Sequence, residues 1–181
     1  MSRTTWLVLF FFMVVRGFLS AQSVAPHSAT VTAEEIGQAL RKPSATGIKD
    51  VKMQLISAGN EYNVGVFAVR RTLVDGKLAV DAYQHHDITE IYQIVKGSGT
   101  LVTGGTLEQP REFRADDPSV LRQIGPTLQG VAIKGGASQT VGPGDIVVIP
   151  ANTPHGFADL APEGIEYVIV RIDPHKVLAA K

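Results

Sequence analysis

Between residues 50 and 172 apolar and polar side chains alternate with a period of two, interrupted at short intervals by glycine, proline and asparagine. Successive side chains of a strand take opposite faces, so this alternation marks strands with one face buried. The pattern predicts strands over 51–57, 62–73, 78–86, 90–95 and 100–103, with turns at Gly59-Asn60, Asp75-Gly76 and Gly97-Ser98-Gly99. It lapses over 106–128, where Pro110, Asp116-Asp117-Pro118 and Gly125-Pro126 stand among scattered charges, as in a long surface insertion over the mouth of a fold. Strand periodicity returns over 130–134, 138–141, 145–149, 155–159 and 164–172. Short strands and turns at this spacing predict an antiparallel sandwich or barrel.

Upstream the period differs. Thr32-Ala33-Glu34-Glu35 is a capping-box sequence, and Ile36, Ala39 and Leu40 follow at helical spacing until Pro43, which predicts one short helix against the main body. Residues 22–49 therefore read as a linker with a short helix, 50–173 as one β domain with the insertion at 106–128, and 174–181 as a tail. The first 21 residues carry Arg3, an apolar run from Trp6 to Val15 and a small-residue end at Ser20-Ala21. That is the layout of a secretory signal peptide, with an apolar core too short to span a bilayer. The expectation is an exported protein, periplasmic or secreted, with no stable membrane insertion after cleavage.

Composition narrows the chemistry. Lys+Arg and Asp+Glu balance at 17 each with no basic block, which argues against a nucleic-acid partner. The chain has no cysteine, so any nucleophile or metal ligand offers nitrogen or oxygen. Three of its five histidines are His85, His86 and His155. In an unbroken strand Gln84, His86 and Glu90 share one face; a bulge near Asp87 instead turns His85 inward beside Glu90. A buried imidazole next to a buried carboxylate is costly unless something satisfies both, and a divalent metal does so. His155, returned to the structure by the Pro-bounded turn Pro150-Ala151-Asn152-Thr153-Pro154, would supply a further ligand from another strand.

These two stretches resemble the paired motifs of small single-domain cupins. Glu90 precedes Gly97 by the six-residue gap of the first motif; Gly144, Pro150, Asn152, His155 and Asp159 follow the second, with Asn152 and Asp159 in place of its glycine and asparagine. The resemblance spans 51–172 and implies an all-β, antiparallel double-stranded β-helix, a jelly-roll cupin barrel behind a short N-terminal helix. It implies a metal site in which Gln84 or Tyr83 stands where the family has its first histidine. The ligands are then His85 or His86, together with Glu90 and His155, with the Gln84 amide as a weak fourth. Two histidines and one carboxylate suit Fe(II), Mn, Ni or Zn and leave positions open. Among cupins such a pocket takes a small-molecule ligand, with oxidative cleavage, isomerisation or decarboxylation as precedents; non-catalytic ligand binding and homodimer assembly are the alternatives.

Overall fold

The computed structural model describes residues 28–42, 44–59 and 61–179, so the expected signal segment and His27 lie outside the described residues. The capping box forms: Glu35 N–H donates to Thr32 Oγ1 at 3.2 Å and Thr32 N–H to the Glu35 carboxylate at 2.7 Å. It opens helix α1 (Ala33–Leu40), whose buried residue is Leu40 and whose last carbonyl accepts from Arg70. Among the described residues no helix is long and apolar enough to cross a membrane.

Among the described residues eleven strands follow: β1 (Ile48–Ala58), β2 (Tyr62–Arg71), β3 (Tyr83–His85), β4 (Thr89–Thr103), β5 (Thr106–Glu108), β6 (Arg111–Glu112), β7 (Thr127–Gln129), β8 (Ala132–Lys134), β9 (Ala137–Val141), β10 (Ile146–Ile149) and β11 (His155–Asp173). Every pairing is antiparallel, and β5 and β8 form a separate two-stranded ribbon. β11 is the spine. It pairs with β2 along Ile165–Asp173 and with β4 along its whole length, while the far edge of β4 carries β10 and then β9. The all-β antiparallel architecture is as expected, but the described ladders make an open, branched sheet rather than a closed barrel.

Alternation explains the core. Phe67 and Val69 of β2, Tyr92 and Ile94 of β4, and Tyr167 and Ile169 of β11 are buried at every second position and pack with Ile88, Leu101 and Phe157. The same inward parity carries polar residues at both ends of the β2–β11 ladder: Arg71 of β2 at one end, and Arg171 of β11 with its β4 partner Glu90 at the other. These groups belong to the site, not to the core's apolar packing.

Three local expectations need correction. Gly97-Ser98-Gly99 is not a hairpin turn but a kink inside the 15-residue β4. Gly97 has φ 71°, and a Cβ there would lie 1.9 Å from the Gly164 carbonyl oxygen of β11, so only glycine permits the approach. Across the kink the buried face changes from Glu90, Tyr92 and Ile94 to Gly99 and Leu101. Residues 78–82 form no ladder; there the Asp81 carboxylate accepts the Phe157 N–H at 2.9 Å. The stretch 106–128 is ordered, with β5, β6, the start of β7 and a π-helical turn at Val120–Ile124.

Candidate metal centre

His85, Glu90 and His155 are brought together, each offering one ligand atom within 4.8 Å of the others. Their exposures are 4%, 1% and 3%, so all three side chains are buried. Strand parity alone would not place His85 and Glu90 on one face, since they are five residues apart. Bends at His86 and Asp87 interrupt the strand between β3 and β4 and reset the face. His86 consequently points away: its Nε2 lies 3.0 Å from Glu112 on the exposed side. The register with His86 inward is therefore not the one adopted: His86 is not in the cluster, and Gln84 does not line the cavity beside it.

His155 arrives through the second motif. Asn152, standing where the motif has glycine, adopts φ 61°, a left-handed conformation that asparagine tolerates better than most residues. Its N–H donates to the His85 carbonyl at 2.7 Å, tying the turn to the first motif.

The imidazoles are oriented by their outer nitrogens. His155 Nδ1 lies 2.8 Å from the Thr153 carbonyl, an obligate acceptor, so Nδ1 carries hydrogen. His85 Nδ1 lies 2.8 Å from Thr127 Oγ1, its cross-strand neighbour on β7, while that hydroxyl donates to the Gly125 carbonyl at 2.8 Å. With its one proton so placed, the hydroxyl accepts from His85. Both Nε2 atoms therefore face Glu90, His85 at 3.4 Å from Oε1 and His155 at 3.2 Å from Oε2. Ligand atoms about 2.1 Å from a common ion are separated by about 3.0 Å at right angles and about 3.4 Å in a tetrahedron. The donor spacing and tautomers thus fit a divalent ion.

Glu90 has other partners that spacing did not reveal. Arg171, directly opposite on β11, donates Nε to Oε1 at 2.7 Å, and Tyr92 donates its hydroxyl to Oε2 at 2.9 Å. Arg171 also donates to Asp50 of β1 at 2.8 Å. Burial works against the Glu90 charge, yet the adjoining His85 and Arg171 hold its carboxyl well below the usual range. Burial likewise disfavours imidazolium and lowers His85 despite Glu90. At His155 the same burial is outweighed by the Glu90 hydrogen bond, and the net shift is upward.

The cluster lines a cavity of about 210 Å³. Val69, Ile169 and Ile48 form an apolar wall, with Phe113, Ser119 and Gln123 contributed by the 106–128 stretch. Arg71 also lines it, its Nε donating to Tyr167 at 2.7 Å and its Nη2 facing Asp81 at 2.9 Å. Arg70 lies outside, against Glu166, and Lys134 lies on β8 of the separate ribbon. The inward setting of Arg71 and Arg171 was readable only in the parity of β2 and β11, which depends on knowing where each strand begins.

Strands from the middle of the chain and from near its C-terminal end thus deliver both motifs to one pocket in an antiparallel sheet. Solved structures that match part of the chain include a mutant form of Bacillus subtilis oxalate decarboxylase, at 18% identity over 64% of this chain and 22% of that one, TM-score 0.36. KdgF from Halomonas sp. matches at 18% identity over 72% of this chain and 81% of that one, TM-score 0.40. The DMSP lyase DddQ from Ruegeria pomeroyi matches at 14% over 72% and 49%, TM-score 0.42. This chain spans about a fifth of the length of the decarboxylase and about half that of the lyase. No family model matches, and no curated protein matches.

Proposed function

We propose that this chain is a cupin that holds a divalent metal ion between His85, Glu90 and His155 and admits a small organic molecule to the adjoining cavity as a metal-dependent enzyme. The observation that carries the reading is the pair of Nε2 atoms turned onto the Glu90 carboxylate, with both Nδ1 atoms committed to outer acceptors. When bound, such an ion supplies Lewis acidity and lowers the pKa of coordinated water. The chain's own residues do the rest: Arg171 and Tyr92 hold the carboxylate in one orientation, Thr127 and Thr153 hold the rings, and Val69 and Ile169 exclude water. The donor set accommodates Fe, Mn, Ni or Zn without choosing among them. Export, as the N-terminal sequence predicts, belongs to the same proposal.

The test is metal analysis of the purified protein followed by titration of His155→Ala. About one ion per chain, lost in the variant, supports the reading; no uptake by the unaltered protein overturns it. N-terminal sequencing of the native protein tests export, since a mature chain beginning at Met1 in the cytosol contradicts it.

A second reading, ligand binding without turnover, draws on the same carboxylate. Both Glu90 oxygens already accept strong hydrogen bonds, so the cluster is electrostatically satisfied as it stands. A metal-loaded protein that binds ligands but consumes neither oxygen nor substrate across a metabolite panel would favour it.

A further inference from the structure

The wall of the cavity is built in two ways. Most of its residues stand on strands of the main sheet, but Ser119, Gln123 and Ile124 come from the π-helical turn Val120–Ile124 and the residue before it, which join no ladder. Phe113 follows directly on the short β6. Beyond the Thr127 hydroxyl on the Ile124 carbonyl, the turn has two hydrogen bonds to the rest of the protein among the described residues. Gln123 Nε2 donates to the Asp50 carbonyl at 3.1 Å, and the Ala179 N–H to the Leu121 carbonyl at 2.7 Å. Behind the turn lies a second space of about 190 Å³, lined by Val120, Leu121, Pro126, Val177 and Phe113, and Phe113 borders both spaces. A close-packed interior fixes its elements by filling the room around them, so a turn with space on both sides keeps freedom to move. Its ends suit that motion, with Pro118 before it and Gly125, at φ 63°, after it.

The C-terminal tail is built as a latch on this turn. The fully buried Asp173 carboxylate at the end of β11 accepts the Val177 and Leu178 N–H groups at 2.9 Å each and Asn63 Nδ2 at 3.4 Å, which folds residues 174–178 into a hook. Leu178 is buried in the core cluster, and Lys52 Nζ donates to the Ala179 carbonyl at 3.2 Å. Val177 closes on the end of the turn, where a Cβ added at Gly125 would lie 3.0 Å from Val177 Cγ2. The hook thus presents the Ala179 N–H to Leu121, and one of the turn's two outer hydrogen bonds depends on a segment that no ladder holds.

We infer that Phe113 and the turn Val120–Ile124 form a gate between the cavity and the outer space, and that the hook 173–179 is its latch: a molecule reaches the histidine–glutamate cluster past Phe113 when Ala179 releases Leu121. The inference rests on the cavity being the ligand site proposed above, and it names that site's route of entry.

The test is hydrogen–deuterium exchange, read by mass spectrometry, on the unaltered chain and on Ala179→Pro. Residue 179 is exposed, and the substitution deletes the N–H given to Leu121 while leaving Leu178 in place. Peptides covering 119–125 should exchange faster by about 2–10-fold, the range one neutral hydrogen bond contributes, with peptides of β2 and β4 unchanged. Unchanged exchange at 119–125, or an equal rise in β2 and β4, overturns the latch. Should Ala179→Pro not fold, a chain ended at Leu178 decides in the same way. The gate itself is read from stopped-flow Zn(II) uptake and from Zn(II) release to a chelator. In Ala179→Pro both rates should rise by similar factors at constant affinity, because one barrier is crossed in both directions. Phe113→Trp, which fills the passage, should slow both. Faster release alone with weakened affinity, or rates indifferent to Phe113→Trp, overturns the gate. If Zn(II) does not bind at all, the metal reading fails, and the latched turn stands or falls on the exchange measurement.

Discussion

Glu90 and Arg171 face each other across β4 and β11, with Arg171 Nε 2.7 Å from Glu90 Oε1 and both side chains buried. The pair joins the centre of the sheet to the candidate metal centre, because the same carboxylate meets both imidazoles. Removing one partner of a buried pair leaves an uncompensated charge, at a cost of about 3–5 kcal/mol. Arg171→Met strands Glu90 and Asp50 together, so urea unfolding of the metal-free protein should show a loss in that range, with Arg171→Lys recovering part of it.

The pH dependence of the metal-free protein follows from the same carboxylate. The folded Glu90 carboxyl lies well below its ordinary value of 4.5, so the unfolded chain takes up the proton first. Its contribution to stability is present above about pH 4.5 and is lost as pH falls toward the folded value. His85 is lowered and His155 raised from 6.5, so their contributions run in opposite directions through neutral pH. The expected profile is a plateau near neutrality and a steep acid limb. Urea midpoints between pH 3 and 7 should lose much of that limb's steepness in Glu90→Gln.

The two adjacent histidines should separate cleanly. His85 Nε2 faces Glu90 inside, whereas His86 bonds Glu112 outside. His85→Ala should abolish Zn(II) uptake and His86→Ala should leave it unchanged. Thr127 acts on the metal only through the His85 ring, so Thr127→Val should weaken uptake by about 10–100-fold. Calorimetric Zn(II) titrations of the three variants check this, and an effect of His86 equal to that of His85 contradicts the geometry.

The kink in β4 gives a stability test remote from the site. Gly97→Ala meets the Gly164 carbonyl at 1.9 Å and an unfavourable positive φ together. Overpacking alone costs about 1–3 kcal/mol. At about 2–4 °C per kcal/mol for a chain of this size, the melting temperature should drop by several degrees. Gly104→Ala has positive φ but open space at its Cβ, so it should cost less.

Much of this protein was legible in the chain alone. Period-two alternation marked the buried faces of β2, β4 and β11, because burial on one face imposes that period whatever the neighbours are. The Thr32–Glu35 capping box was equally local, needing only the orphan N–H groups of the first turn. The spacing of Glu90, Gly97, Gly144 and His155 pointed to a cupin and to a shared pocket. What the sequence could not determine were properties of strand pairing. Whether His85 or His86 faces Glu90 depends on two bends beside His85, which is bonded by Thr127 on β7 and by Asn152 in the turn before β11, both distant along the chain. Gly97-Ser98-Gly99 has the composition of a hairpin, and only the close approach of Gly164 on β11 makes it a kink. Arg171 carries no motif, and its role exists because antiparallel register with β4 sets it opposite Glu90. Local pattern decided which faces are buried; tertiary register decided which polar groups meet there, since a one-residue slip in any of these strands would turn them to the other side.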